Sequence, residues 1–205
     1  MKKLLVILFT TISSLSTHAQ SWDYRVIRDL NVVNRPKNLD KGFQFISNST
    51  SVVCIGVPVS MMAVGLFTHD KNLLQQGEQI AIAYGVSTIS TWAFKLTVKR
   101  DRPFVTHPDI IKLSSGGGSS FPSGHANNAF ALATSVFLEN KKWYIGVPAF
   151  TWASLVAYSR VDLGVHYPTD VLTGAAFGVG SAFAARKINR WIHKEKPVPK
   201  TAALF

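Results

Sequence analysis

The residues best suited to chemistry fall into three short polar groups, each beside an apolar segment. The groups are Lys95-x6-Arg102-Pro103, Pro122-Ser123-Gly124-His125 and Ser159-Arg160-x5-His166-x3-Asp170. Together they offer three cations, two imidazoles and a carboxylate. Cations can bind an anion, and an imidazole beside a carboxylate can act on a substrate, so this set of side chains suits chemistry on an anionic substrate.

The first group places two cations seven residues apart. Seven residues is almost two helical turns, so we expect Lys95 and Arg102 on one helix face, with the helix ending at Pro103. Two cations on one face could clamp an anion, although a basic helix end beside a membrane is often only an interface anchor. We interpret Lys99 and Arg100, between them, as interfacial residues.

The second group opens directly into an apolar helix. Ser123 is suited to the N-cap position, where the backbone N–H groups beside it have no helical partner. Gly124 lets a ligand approach that backbone closely, and His125 lies on the rim. The group predicts an anion-binding site at the start of this helix, although ordinary helix capping would also account for a serine and a glycine there.

The third group predicts an oriented imidazole. Pro168 suits the first turn of the last helix, which places His166 just before that helix and Asp170 within its first turn. One turn of separation can bring the Asp170 carboxylate to one imidazole nitrogen and leave the other free for a substrate. A capped structural pair is the alternative, but it does not explain why Arg160 lies at the same helix end.

The elements that must position these groups are apolar segments typical of a membrane-embedded helical protein. Hydrophobic residues make up 47% of the 205 residues and charged residues 16%, and the mean hydropathy is +0.16. We expect an all-α transmembrane helical bundle with about five spanning helices. The segments are Val52 to Thr68, Ile80 to Phe94, Ala126 to Leu138, Trp143 to Tyr158 and Val171 to Ala185.

Charge distribution assigns sides to the loops. The links 139–142 and 186–190 are short and basic, as cytoplasmic flanks are. The loops at the opposite ends, 95–125 and 159–170, therefore share the outer side, and they carry all three polar groups. Gly174 and Gly178 form a GxxxG pair that predicts close helix contacts.

The two ends of the chain carry separate predictions. Residues 1–19 have a basic start, an apolar stretch and a small-x-small pattern, so we expect a cleaved signal peptide; an uncleaved first transmembrane helix is the alternative. Residues 20–50 are expected to form a periplasmic or interfacial arm, 51–190 the helical domain, and 191–205 a basic cytoplasmic tail. The net charge of +11 lies mostly at the ends of apolar segments, so we expect membrane lipid as a partner and no nucleic acid.

The three groups, in this order, resemble the signature of the type-2 phosphatidic acid phosphatase superfamily, which also contains bacterial acid phosphatases and vanadium haloperoxidases. The resemblance runs from about residue 52 to residue 185. It implies a phosphatase of the membrane-bound lipid phosphatase branch, acting on a lipid phosphate or diphosphate at the outer face of the inner membrane. Undecaprenyl diphosphate is the first substrate expected on family grounds.

The resemblance also implies a role for each residue. His166 would be the nucleophile that forms a phosphohistidine, Asp170 would hold its tautomer, and His125 would protonate the leaving oxygen and then activate water. The phosphate would be bound by a further set of residues: Lys95, Arg102, Ser123, Gly124 and Arg160. Three cations can supply the positive charge, so we expect no metal or other cofactor.

Three other functions remain open at this point. A soluble periplasmic acid phosphatase would share the same three groups, as would a vanadate-dependent haloperoxidase. A lipid-binding protein without catalysis is a third possibility. The matched residues contact only the phosphate, so they do not choose among lipid substrates, and the sequence does not indicate an oligomeric state.

Overall fold

The computed structural model describes residues 21–32 and 36–193, and in those ranges its regular elements are all helices. The predicted signal peptide therefore lies outside the described residues, as does the tail beyond residue 193. The helices are α1 (residues 21–30), α2 (Lys37–Phe67), α3 (Lys71–Thr97), α4 (Pro103–Thr106), α5 (Gly124–Asn140), α6 (Trp143–Asp162) and α7 (Pro168–Ile192). This agrees with the all-α expectation.

Local sequence signals account for several helix starts. Asp70 caps α3 by accepting hydrogen bonds from the backbone N–H groups of Asn72 at 3.0 Å and Leu73 at 3.1 Å. Ser123 occupies the N-cap of α5, and Pro168 is the first residue of α7, as the sequence predicted. These two starts fix where the second and third polar groups stand.

Helix α5 lies at the centre of the bundle and packs against α3, α6 and α7. Its approach to α7 depends on the two glycines of the GxxxG pair. A methyl group added at Gly178 would lie 2.3 Å from the carbonyl oxygen of Asn127, and one at Gly174 would lie 2.5 Å from that of Ser123. Any side chain at these positions would force the helices apart, so the predicted close contact is present.

The first polar group does not lie on one helix. Helix α3 ends at Thr97, and the chain is extended at Val98 and again at Arg102, which precedes α4. The expectation that Lys95 and Arg102 share a helix face is therefore wrong. Pro103 begins a new short helix instead of ending the long one, because its fixed backbone angle suits a first helical position.

One described helix, α2, is long and apolar enough to cross a membrane. It starts at Lys37 and so runs through the expected start of the helical domain at residue 51. Large apolar side chains are exposed on several helices, including Phe67 at 87%, Trp143 at 76% and Ile89 at 68%. Exposed apolar surface of this extent is unusual for a protein surrounded by water.

Helix α1 packs onto the end of the bundle that carries the polar groups. Ile27 is fully buried, in one cluster with Val161 and Val171. The Asn31 amide donates hydrogen bonds to the carbonyl oxygens of Ile111 at 3.0 Å and Asp162 at 2.8 Å. The predicted arm thus includes a helix tied to the loops around the candidate site.

Candidate active site

The three polar groups converge on a pocket at one end of the bundle. The C-terminal ends of α3 and α6 and the N-terminal ends of α5 and α7 meet there, together with the loop between α4 and α5. Six of the eight predicted site residues line it, and Ser123 and Asp170 lie just behind them. The lining residues are Lys95, Arg102, Ser115, Gly116, Gly117, Gly124, His125, Arg160 and His166.

The Arg102 guanidinium is fixed by backbone carbonyl groups. Its nitrogens donate to the oxygens of Val165 at 2.8 Å, Gly117 at 3.0 Å and Gly118 at 3.1 Å. Arg102 Nη1 also lies 3.3 Å from Nε2 of His166. None of these carbonyl partners carries a formal charge, so the positive charge of Arg102 stays available to an anion in the pocket.

Arg160 approaches the pocket from the end of α6. Its side chain is almost fully buried and donates to the hydroxyl groups of Ser47 and Ser114 and to the carbonyl oxygen of Ser115. Its Nε is buried and has no hydrogen-bond partner among the described residues, and the same is true of the Ser123 hydroxyl. Unpaired buried donors are costly unless a ligand satisfies them, so both atoms suit an anion-binding site.

The chain path after α6 places His166. Gly164 has a φ of 75°, and a side chain there would lie 2.3 Å from the Ile111 carbonyl oxygen, so this turn requires glycine. The turn brings the backbone N–H of His166 to 3.2 Å from the Arg160 carbonyl oxygen. Arg160 and His166 are thus linked through the backbone as well as through the pocket.

The imidazole of His166 faces a carboxylate on one side and a cation on the other. Nδ1 lies 3.7 Å from Asp170 Oδ2, and the Ser120 hydroxyl stands near both, 3.5 Å from Nδ1 and donating to Oδ2 at 2.5 Å. A guanidinium can only donate, so the contact with Arg102 favours a lone pair on Nε2 and a proton on Nδ1. Asp170 thus lies beside the His166 imidazole at ion-pair distance, with the Ser120 hydroxyl between them.

The charge states of this pair follow from its surroundings. Burial lowers the pKa of His166 to about 4; Asp170 opposes this shift, and the neighbouring Arg102 and Arg160 add to it. Burial alone would raise the pKa of Asp170, but His166, Arg100 and the Ser120 hydroxyl together hold it below its usual value. At neutral pH the site therefore holds a neutral imidazole beside an ionised carboxylate, which suits a nucleophile.

The surroundings of His125 favour a neutral imidazole as well. Burial lowers its pKa to about 3, and the positive charges of Arg160, Arg102 and Lys95 contribute to the same shift. A bound phosphate would offset those charges and raise the pKa of His125 again. Substrate binding thus favours the protonated form that a general acid needs.

Lys95 completes the cationic lining. Its Nζ donates to the Ser119 carbonyl oxygen at 2.5 Å. Burial lowers the pKa of Lys95 to about 8, with a further contribution from the nearby charge of Arg102. Lys95 follows the apolar segment that ends at Phe94, so it lies at the mouth of the bundle rather than along its length.

Arg100 is a site residue that the sequence reasoning missed. Its side chain is 24% exposed, and it donates to Asp170 Oδ1 at 2.6 Å and to Asp23 Oδ2 at 2.7 Å. The interpretation of Arg100 as an interfacial residue is wrong, because the chain leaves helical geometry at Val98 and turns this side chain inward. The sequence predicted a continuous helix from residue 95 to residue 102, and on such a helix the Arg100 side chain would not have pointed toward Asp170. Ser120 was also missed, although it lies only two residues before Pro122, where the second polar group begins.

Comparisons with known proteins identify relatives of this chain. Residues 76–194 match the family description "PAP2 superfamily". The lipid A 4'-phosphatase of Bacteroides thetaiotaomicron is 35% identical over 98 residues, which cover 46% of this chain and 44% of that protein. The undecaprenyl-diphosphatase BcrC of Bacillus subtilis is 29% identical over 126 residues, 60% of this chain and 62% of that protein. The chain thus spans less than two thirds of either relative.

A solved structure extends the likeness to nearly the whole chain. It is described as the first transmembrane PAP2 type phosphatidylglycerolphosphate phosphatase from Bacillus subtilis. The two structures superpose with a TM-score of 0.72 at 26% identity, over 96% of this chain and 98% of the other. The family match covers more than half of the chain and includes all three polar groups, and on this evidence the protein belongs to the PAP2 superfamily.

Proposed function

We propose that this protein is a metal-independent phosphatase that hydrolyses a lipid phosphate or diphosphate through a phosphohistidine on His166. The observation that carries the proposal is the geometry of the buried His166 imidazole: Nδ1 lies 3.7 Å from Asp170 Oδ2, and the residue lines a pocket together with Lys95, Arg102 and Arg160. A nucleophile of this kind, next to preorganised positive charge, is what phosphoryl transfer requires. The named relatives all act on lipid phosphates or diphosphates by their descriptions.

In the first step His166 Nε2 attacks phosphorus, and the bond from phosphorus to the lipid oxygen breaks. His125 gives its proton to that leaving oxygen. The imidazole becomes an N-phosphorylated cation that keeps its proton on Nδ1, where Ser120 and Asp170 stabilise it. Lys95 and the two arginines of the pocket balance the charge on the phosphoryl oxygens.

In the second step His125 takes a proton from a water molecule, which attacks phosphorus from the side that the lipid has left. The bond between phosphorus and Nε2 breaks, inorganic phosphate leaves, and His166 returns to its neutral form. His125 ends the cycle protonated, as it was when the lipid was bound. The Ser123 hydroxyl and Arg160 Nε, both unpaired, can donate to the phosphoryl group throughout.

We further propose that the chain is a multi-pass protein of the bacterial inner membrane with this pocket on the periplasmic side. The exposed apolar side chains on α2, α3 and α6 support a lipid environment. The basic link between α5 and α6, at the end of the bundle opposite the pocket, supports the orientation. A soluble acid phosphatase would leave this apolar surface in water, and recovery of the protein in the supernatant without detergent would establish that alternative.

The experiment compares phosphate release from four lipids by the detergent-solubilised protein, with EDTA present: undecaprenyl diphosphate, phosphatidic acid, phosphatidylglycerol phosphate and lipid A. We expect turnover of at least one, with undecaprenyl diphosphate as the first choice. His166→Asn should abolish it, and His69→Asn, an exposed control between α2 and α3, should not. Equal rates for wild type and His166→Asn, or a requirement for added metal, would contradict the proposal.

A further inference from the structure

Asp23, on α1, is a buried carboxylate that reaches the active site from outside the residues matched by the family description. It is 1% exposed, although it lies near the start of the described chain and far from the matched residues 76–194. A charged group is buried this completely only when it is paired and hydrogen-bonded. Its partners therefore indicate what it does.

The first partner of Asp23 is the start of α7. Oδ1 accepts from the backbone N–H of Thr169 at 2.9 Å, and Oδ2 accepts from the Thr169 hydroxyl at 2.5 Å. Thr169 is the second residue of α7, where backbone N–H groups have no helical partner. Asp23 thus caps α7 from another helix, one residue before the Asp170 carboxylate that faces His166.

The second partner of Asp23 is Arg100. The guanidinium lies between two carboxylates, donating to Asp23 Oδ2 at 2.7 Å and to Asp170 Oδ1 at 2.6 Å. It is further fixed against the ring face of Tyr167, 4.1 Å from the centroid, and by a 2.8 Å hydrogen bond to the Thr169 hydroxyl. Asp23 and Asp170 therefore share the positive charge of Arg100, and the two carboxylates together fix the orientation of the planar guanidinium.

We infer that Asp23 is a positioning residue for the reaction: it holds Arg100 and the first turn of α7 so that Asp170 orients the His166 imidazole. The inference rests on the proposed function. All three polar groups lie after α1 in the sequence, so this inference gives α1 a role in catalysis that those groups do not indicate. Without the Asp23 charge, Arg100 would be held by Asp170 alone. Asp170 Oδ2 would keep its hydrogen bonds from the Ser120 hydroxyl and the Tyr167 backbone N–H, but the partner of Oδ1 would no longer be fixed in place, and the carboxylate could tilt away from His166.

A purely structural cap is the alternative, and the two roles predict different kinetics. Asp23 does not line the phosphate pocket, so its loss should change kcat and leave the affinity for a phosphate analogue almost unchanged. A structural role would lower thermal stability and would reduce kcat and affinity together. The near-isosteric Asp23→Asn variant keeps an acceptor for the Thr169 N–H but removes the charge that faces Arg100.

The test measures kcat, inhibition by vanadate and thermal stability for the full chain in detergent. Asp23→Asn should lower kcat about 10- to 100-fold, the range expected when a reacting group is misplaced by up to about 1 Å. Its inhibition constant for vanadate should stay within about threefold of wild type. Asp29→Asn, which removes the same charge from the exposed side of the same helix, should match wild type, and Asp23→Glu should recover part of kcat.

A double-mutant comparison makes the assignment specific to Arg100. If Asp23 acts through Arg100, then Asp23→Asn combined with Arg100→Gln should be no slower than Arg100→Gln alone. Unchanged kcat in Asp23→Asn, or losses that multiply in the double variant, would overturn the inference while wild-type turnover still supports the proposed function. Absence of turnover in wild type would overturn the proposed function, and this inference with it.

Discussion

Gly116 offers a way to displace one catalytic cation without changing any charge. A methyl group at this position would lie 2.7 Å from Arg102 Nη1 and 3.2 Å from Cζ. Ordinary contact begins near 3.4 Å, so the guanidinium has to retreat by about 0.7 Å. Its hydrogen bonds to three carbonyl groups allow no free movement of that size. Gly116→Ala therefore moves Arg102 away from His166 Nε2 or breaks one of those bonds.

The expected result is a loss of kcat/KM of roughly 10- to 100-fold, or about 1.4–2.7 kcal/mol in the transition state, since displacements near 1 Å cost up to about 10²-fold. The control is Gly180→Ala on α7, which lies outside the pocket and whose methyl group would meet nothing within 4 Å. We expect this control to stay within about threefold of wild type. The assay is phosphate release from the best lipid of the panel. Equal activity of Gly116→Ala and wild type, or equal losses in both variants, would refute the proposed role of Arg102.

Three further predictions follow from the same geometry. The charge of Lys95, with a pKa of about 8, is present below that pH and lost above it, so kcat/KM should fall as pH rises through 8. Lys95→Arg should remove that fall, because arginine stays charged at this pH. If kcat/KM fell in the same way above pH 8 in both proteins, the decrease would not come from Lys95. Gly178→Ala should lower the free energy of unfolding by about 1–3 kcal/mol through overpacking, whereas Gly180→Ala, with open space around it, should not; thermal denaturation in detergent would distinguish them. Ser120→Ala removes the 2.5 Å hydrogen bond to Asp170, and we expect kcat to fall about 10-fold with little change in KM; a change confined to KM would contradict the bridging role.

The parts of the structure that follow from short stretches of sequence could be predicted. Ser123 and Pro168 carry the backbone preferences of a helix cap and a first helical residue, and both occupy those positions. The alternation of helices then brings the second and third groups to one end of the bundle. Gly174 and Gly178 likewise indicate a close contact through their spacing alone.

The parts that depend on contacts between distant segments could not be predicted. Arg102 reaches the pocket because α3 stops at Thr97 and the chain turns, and no helix-ending signal marks Thr97 itself. Arg100 points inward because Asp170, 70 residues away, attracts it. Asp23 meets Thr169 across 146 residues of sequence, so its role becomes visible only in three dimensions.

The central claim, that His166 is the nucleophile, can be tested by trapping the phosphoenzyme. The wild-type protein would be mixed with its ³²P-labelled lipid substrate, quenched within milliseconds at alkaline pH, where phosphohistidine survives, and mapped by mass spectrometry. We predict phosphate on His166 in wild type and none in His166→Asn. Phosphate on a different residue, or turnover retained by His166→Asn, would contradict the mechanism.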